Sequence, residues 1–329
     1  MITYIIRRVL ISIPVLFFIV LSTFLLIHAV PGGPFDNVGE RPMPEIVRER
    51  LENRYGLNEP LSAQFFLYMG NLAQGELGPL FNTPSRDVND IVSETFPVSI
   101  QLGMMSLIVG FSLGIPLGVV AALRHNSALD YAATFFAVMG VSVPSLVLGP
   151  LLILIFGVYL KWFDFGRWGA EPPFVLGFLP KFDQMFGENA KFFELAIMPV
   201  FALGTAYSAS IARLTRAGLL EVLDSDYIRT AYAKGLRPST VVGIHALKNS
   251  LIPVATILGP LLAGAVTGAL ITENIFAING MGRQFVLSIG QREYFLLTSL
   301  TLLFAVLLIL GNLMVDILYA WLDPRIRYD

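Results

Sequence analysis

The residue types that usually carry chemistry are sparse in this sequence. It contains no Cys, which excludes disulfides, thiolate metal sites and Cys nucleophiles. Its three His are His28, His125 and His245, and the topology argued below places the first on one side of a membrane and the others on the opposite side. A metal site needs ligands at one place, and an intramembrane enzyme needs a nucleophile and a base at one depth. We therefore predict no catalytic site, metal or cofactor in this chain.

ATP hydrolysis is excluded by the positions of the lysines. A phosphate-binding loop of the G-x-x-x-x-G-K-[ST] type needs Lys after Gly and before Ser or Thr. None of the lysines here has either neighbour; they are Lys161, Lys181, Lys191, Lys234 and Lys248. If ATP drives this protein, another polypeptide must bind the ATP and Mg²⁺.

Asp316 is the remaining candidate for chemistry, because an acid inside an apolar run is by default a proton or ion site. No other carboxylate, Lys or His lies at a matching depth in the other runs. Asp316 is also close to the end of its run, where it could bond to a neighbouring chain or helix end. We therefore do not expect it to belong to a proton relay.

The elements that hold these residues are set by composition. Of the 329 residues, 55% are apolar and 14% are charged, which is more apolar surface than a soluble domain of this size buries. The net charge of −2 gives no basic face for nucleic acid. The sequence predicts an all-α membrane protein in contact with lipid.

Runs of about 20 apolar residues can cross a hydrocarbon core of about 30 Å. Six such runs are present: Val9–Ile27, Val98–Leu123, Tyr131–Leu160, Leu195–Ala212, Ser250–Thr272 and Tyr294–Val315. The first follows Arg7 and Arg8 but is followed by no A-x-A cleavage site, so we interpret it as a retained helix rather than a signal peptide. Residues 1–329 are predicted to form one transmembrane domain.

Orientation follows from the short loops, because positive charge accumulates on the cytoplasmic side. With both termini inside, the inner segments carry eleven Lys and Arg against six in the short outer ones. The predicted topology is N-in/C-in. It places a long outer loop over 28–97, with short helices at Pro44–Tyr55 and Pro60–Ala73, and an inner loop over 213–249.

Glycines within the runs predict close helix packing. Gly110, Gly114 and Gly118 recur every fourth residue, and Gly264 and Gly268 repeat the spacing. Small residues on one stripe let helix backbones approach. Prolines within or beside the runs also permit kinks.

The inner loop has the pattern of a helical hairpin. Asp224–Asp226 offer a helix start, Tyr227–Lys234 reads as a short helix ended by Gly235, and Pro238 opens a second helix towards Asn249. Such a hairpin could dock into a groove on a partner protein, or lie on anionic lipid. Its spacing alone does not separate these two interpretations.

A resemblance favours the first interpretation. The segment from Tyr227 to Leu236, followed by His245-Ala246-Leu247, resembles the coupling loop of binding-protein-dependent ABC importer permeases, in the version of the peptide and nickel branch. The resemblance extends to Arg7-Arg8, to Gly75-Glu76-Leu77-Gly78 and to Asp323–Tyr328. Within the branch, Phe96-Pro97-Val98-Ser99 is most similar to the oligopeptide permease B subunits. Asn279 stands where the branch usually has Pro.

The resemblance implies a multi-pass permease subunit of the bacterial inner membrane. It would act with a homologous second permease, two ATPase subunits and an extracytoplasmic substrate-binding protein. The residues expected to contact an ATPase are Tyr227, Ile228, Arg229, Thr230, Ala231, Tyr232, Ala233, Lys234, Gly235 and Leu236. Ala231 and Gly235, being small, are expected at the closest approach.

The expected cargo is oligopeptide, with dipeptide, nickel or another small peptide-like cargo as alternatives. A stand-alone secondary carrier or channel is the alternative class, which the absence of an inverted repeat disfavours. The residues that line the path are not identified by the sequence.

Overall fold

The apolar runs of the sequence form long helices in the computed structural model, which describes residues 2–33, 35, 45–83, 85–166, 174–175, 179–180, 190–266 and 269–322. Before the second long helix, the chain forms α1 (Ile2–Ala29), α2 (Glu45–Tyr55) and α3 (Leu61–Ala73). The middle third contains α4 (Val88–Leu123), α5 (Ala128–Ser142), α6 (Ser145–Leu152), a π-helical segment (Ile153–Tyr159) and a small antiparallel pair, β1 (Phe174–Val175) and β2 (Leu179–Pro180).

The last third begins with α7 (Ala190–Leu223) and α8 (Asp226–Ala233). A continuous helical stretch follows, made of α9 (Pro238–Thr240), a second π-helical segment (Val241–Ala246) and α10 (Leu247–Ser250). The chain then forms α11 (Ile252–Val266), α12 (Leu270–Ile275), α13 (Met281–Gln291) and α14 (Tyr294–Leu322). The predicted all-α class is confirmed, since the two short strands are a minor feature.

Five helical stretches in the described part of the chain are long and apolar enough to cross a membrane. The sixth predicted span, Tyr131–Leu160, is broken: α5 and the helix that starts at Ser145 meet at an angle of 97°. The break lies at Val143–Pro144, because Pro144 has no N–H to donate and disfavours helical geometry in the residue before it. Six spans result when the bent pair is taken as one.

Two helices extend beyond the predicted spans. α4 begins at Val88, ten residues before Val98, and α7 continues to Leu223, eleven residues past Ala212. The limits of the apolar runs do not coincide with the helix ends, because charged residues such as Arg213 end an apolar run without ending a helix. The segments 28–97 and 213–249 therefore contain the ends of two long helices as well as loop.

α7 is the central helix of the bundle and contacts α4, α5, α6 and α11. Its seam with α4 is very close: a Cβ atom at Gly114 would lie 2.7 Å from the Ser208 carbonyl oxygen, and one at Gly118 would lie 2.6 Å from Thr215 Cβ. The predicted close packing of this glycine stripe is confirmed. Gly264 differs, since no atom of the described residues lies within 4 Å of its Cβ position, and Gly268 is outside the described residues.

The two short helices expected in the first long connection are present as α2 and α3, although Pro44 lies outside the described residues. α3 packs through Phe65 and Tyr68 on Val20 and Phe24 of α1. The Tyr68 hydroxyl also lies 2.9 Å from Ser299 Oγ on α14. This connection therefore covers the α1–α14 pair.

The predicted sidedness can be tested by thiol labelling, because the chain has no native Cys. Ser85 and Ser239 are both exposed and lie in the two segments predicted on opposite sides. We expect Ser85→Cys to react with an impermeant maleimide on intact spheroplasts, and Ser239→Cys to react only after permeabilisation. The reverse pattern would contradict the N-in/C-in topology.

Candidate coupling site

The first half of the predicted hairpin is helix α8, which begins after Ser225 and carries Asp226 in its first turn. It ends where Gly235 adopts a left-handed conformation with φ of +77°. The Gly235 N–H donates to the Tyr232 carbonyl and the Leu236 N–H to the Ala231 carbonyl, which satisfies the last carbonyl groups of the helix. A helix followed by a glycine turn was predicted here, within one residue at each end.

The second half is a continuous helical stretch from Pro238 to Ser250 that leads into α11. Pro238 stands at its first helical position, where its missing N–H costs nothing. Tyr227 joins the two halves: its hydroxyl accepts a hydrogen bond of 2.9 Å from Asn249 Nδ2. The hairpin is therefore a single packed unit.

One face of α8 is buried by the chain itself. Ile228 and Ala231 are 1% and 7% exposed, and they pack with Ala122 at the end of α4 and Leu219 near the end of α7. The methyl group of Ala231 therefore faces the bundle, and the expectation that this residue makes the closest approach to a partner stays a prediction. Its small size reflects packing within the chain, which sequence spacing could not distinguish from packing on a partner.

The opposite face of α8 is exposed. Tyr227 and Tyr232 are each 43% exposed and Leu236 is 37% exposed. The other exposed residues of the predicted set are Arg229, Thr230, Ala233, Lys234 and Gly235. Of the ten predicted coupling residues, eight thus face outward and two hold the hairpin on the bundle.

The hairpin is joined to the bundle at a second close contact. Gly218 of α7 faces the Ser250 carbonyl so closely that no side chain fits between them.

A buried ion pair joins α5 to α7. Arg216 binds Asp130 through two hydrogen bonds of 2.7 and 2.8 Å, which fixes the start of α5 to α7. Asp130 is 2% exposed, and no sequence pattern marks this pair, because both residues lie in predicted loops.

Asp316 of α14 is paired with two residues of α1, Tyr4 and Arg8. The Tyr4 hydroxyl donates to Asp316 Oδ2 over 3.0 Å, and Arg8 forms a salt bridge with the same carboxylate. The expectation that Asp316 bonds to a neighbouring chain or helix end agrees with these contacts, since Tyr4 and Arg8 lie near the start of α1. The carboxylate therefore has a cationic partner within the chain.

Glu273, at the other end of the bundle, is a buried carboxylate whose bonds were not predicted from the sequence. Glu273 is fully buried, accepts a hydrogen bond of 2.8 Å from Ser99 Oγ and another of 3.0 Å from the Arg283 N–H. Ser99 Oγ in turn accepts from the Met281 N–H over 2.9 Å. These bonds satisfy the first N–H groups of α13, and a side chain at Gly280 would collide with the carboxylate.

A second carboxylate, Glu293, binds the first long connection to the start of α14. It accepts hydrogen bonds of 2.8 and 2.7 Å from the N–H groups of Phe81 and Asn82. Burial raises the pKa of the Glu293 carboxyl, while these backbone donors act in the opposite direction. No local pattern in the sequence marks either glutamate, since their partners lie far away along the chain.

Comparison with known proteins agrees with this architecture. Residues 114–328 match the family described as binding-protein-dependent transport system inner membrane component, and residues 1–103 match its N-terminal family. The fold is similar to that of an inward-facing structure of the MetNI methionine ABC transporter, with a TM-score of 0.55 and 17% identity over 71% of this chain and 96% of that chain.

Curated relatives are similar over the whole length. The chain is 42% identical over 328 residues to the oligopeptide transport system permease protein OppB of Haemophilus influenzae and 40% identical to that of Salmonella typhimurium, covering 100% of both chains in each case. It is 42% identical over 305 residues to the dipeptide transport system permease protein DppB of Bacillus subtilis, covering 93% of this chain and 91% of that protein. The chain therefore belongs to the family of inner-membrane components of binding-protein-dependent transport systems and is a multi-pass permease of the ABC importer type.

Proposed function

We propose that this permease forms one half of the translocation path of an ATP-driven oligopeptide importer. A homologous second permease forms the other half, two ATPase subunits bind beneath the hairpins, and a substrate-binding protein delivers peptide from outside. Residues 226–236 transmit movement from an ATPase subunit to the membrane helices. The observation that carries this proposal is the burial of α8 on the ends of α4 and α7.

The proposed cargo, an oligopeptide, follows from the cargo of the similar permeases. Full-length similarity to oligopeptide permeases favours oligopeptides, and the similarity to DppB keeps dipeptides as the second candidate. The test is competition: uptake of a labelled tetrapeptide by cells that depend on this importer should be inhibited by unlabelled tri- to pentapeptides. Inhibition by dipeptides or Ni²⁺ alone would exclude the oligopeptide assignment.

The coupling mechanism rests on the packing of the hairpin. Ile228 and Ala231 share one buried apolar cluster with Ala122, Leu219, Val241 and Ala246. A displacement of α8 would therefore be passed, through the second half of the hairpin, to the ends of α4 and α7. These two helices are held together by backbone contact at Gly114 and Gly118, so they move as one body. ATP binding to the partner subunits would then favour one of two arrangements of the path, which is what a ligand-driven switch requires.

A charge on the outward face of α8 should separate docking from folding. Ala233 is exposed, and Ala233→Glu places a carboxylate that an ATPase groove would have to desolvate. We expect normal insertion and normal yield, but loss of at least about tenfold in ATPase recovery on pull-down, equivalent to roughly 1.4 kcal/mol. Peptide uptake should fall in parallel.

Two matched substitutions are the controls for this experiment. Ala128→Glu introduces the same side chain at an exposed position in the first turn of α5, where an acid is tolerated, and should retain ATPase binding. Ala231→Glu places the charge in the buried face and should lower the yield of folded protein. If Ala233→Glu keeps its ATPases and transports at the wild-type rate, the hairpin is not the coupling element.

The stand-alone carrier is the less favoured alternative. It needs an ionisable group that is available in the membrane, whereas Asp316 is bound by Arg8 and Tyr4. The sequence also contains no phosphate-binding loop, which agrees with ATP hydrolysis on partner subunits.

A further inference from the structure

A groove runs along the bundle between α4, α5 and α7. It consists of two adjoining cavities of about 220 and 370 Å³. The two cavities are neighbours, since Leu117, Ala137, Ala209 and Ala212 line both. One end of the groove lies beside the α5–α6 break at Val143, and the other end reaches Arg213 and Arg216.

The walls of the groove favour an apolar occupant. Three of the wall hydroxyls are bonded within the chain: those of Thr205 and Ser208 donate to backbone carbonyls, and that of Thr134 donates to Asp130. A peptide in this groove would leave most of its backbone N–H and C=O groups without partners, which is costly in an apolar setting. An acyl chain has no such groups.

The Arg213 end of the groove carries unbalanced positive charge. Arg216 is neutralised by Asp130. Arg213 is exposed and forms no ion pair within the described part of the chain, and the same holds for Arg124, which follows the groove-lining end of α4. A bound anion is therefore the complementary ligand at this end.

The depth of Arg213 suits a lipid headgroup. It follows Glu194, the start of the α7 span, by 19 residues, which corresponds to about 28 Å of helix at 1.5 Å per residue. This distance is close to the thickness of the hydrocarbon core, about 30 Å. With Glu194 at one edge of the hydrocarbon core, this spacing would place the guanidinium near the phosphate groups of the other edge, on the same side as the hairpin.

We propose that this groove binds an anionic phospholipid, with the phosphate on Arg213 and an acyl chain along the walls between α4, α5 and α7. Basic pockets between membrane helices on the cytoplasmic side commonly bind anionic headgroups. The proposal does not depend on which cargo is transported. It uses the predicted orientation only to place the site in the anionic leaflet.

The test is lipid retention by the full-length chain with its co-purified partners. The complex is reconstituted in nanodiscs of phosphatidylethanolamine and phosphatidylglycerol, extracted gently, and its retained lipids are measured by native mass spectrometry. We expect enrichment of phosphatidylglycerol in the wild type and about fivefold less in Arg213→Ala, since one basic residue near the surface contributes about 1 kcal/mol. Arg237→Ala removes an exposed charge at the same end but outside the groove and should retain the enrichment.

A second variant tests the groove itself. Ala137→Leu fills the segment shared by both cavities and should reduce retained phosphatidylglycerol even though Arg213 is present. Equal retention of the two lipids by the wild type would overturn the proposal, as would undiminished retention in both variants. Cross-linking of Ala137→Cys to a partner subunit in high yield would also overturn it, because a protein chain would then occupy the groove.

Discussion

Replacing Gly114 by alanine should force α4 and α7 apart and sharply lower the amount of folded protein. The new methyl group would lie 2.7 Å from the Ser208 carbonyl oxygen and 2.8 Å from Ile211 Cβ, and a backbone carbonyl cannot move aside as a flexible side chain can. Overpacking of this kind costs about 1 to 3 kcal/mol. Adding Gly118→Ala should lower stability further, by a non-additive amount because both contacts lie on one seam.

Gly264→Ala is the matched control, because nothing in the described part of the chain lies within 4 Å of its Cβ position. It should leave the yield of monodisperse protein and the unfolding temperature in detergent close to the wild-type values. Gly114→Ala with wild-type thermal stability would show that α4 and α7 are not in backbone contact. The rigid seam that the coupling mechanism needs would then be absent.

Replacing Glu273 by alanine should destabilise the junction between α4, α12 and α13. The substitution removes the acceptor for Ser99 Oγ, which is buried, and for the Arg283 N–H, which is partly buried. Each buried donor left unpaired costs about 1 to 3 kcal/mol, so the expected loss is several kcal/mol. Glu273→Gln should lose less, since the amide keeps one acceptor oxygen in place.

Glu76→Ala is the control for this loss, because Glu76 is exposed in the first long connection. A double-mutant cycle with Ser99→Ala should show strong coupling, because the two side chains bond each other and share the first turn of α13. Additive effects of the two single substitutions, or an unfolding temperature unchanged in Glu273→Ala, would contradict this account of the junction.

The sequence predicted features whose causes are local. Apolar run length predicted the helices that can cross a membrane, the glycine stripe in α4 predicted its contact with α7, and Gly235 predicted the end of α8. Features that depend on distant partners were missed. Glu273 is 174 residues from Ser99, and Arg216 is 86 residues from Asp130.

The features that local patterns left open or placed wrongly also depend on neighbours elsewhere in the chain. A small residue such as Ala231 signals close packing, but the spacing does not identify the partner, which here is the chain's own α4 and α7. The Gly264 stripe has the same spacing as the α4 stripe, yet the Cβ position of Gly264 faces open space. A proline permits a kink but does not by itself predict a break in the helix. Pro144 interrupts its span, whereas Pro116 and Pro199 stand within helices that continue.

Uptake by proteoliposomes tests the central claim most directly. The permease, purified with its partner subunits, is reconstituted with ATP and Mg²⁺ inside and the substrate-binding protein with labelled oligopeptide outside. An importer should accumulate peptide only when both ATP and the binding protein are present, and Ala233→Glu should abolish that accumulation. Peptide uptake driven by a proton gradient in the absence of ATP would contradict the account and identify the chain as part of a secondary carrier.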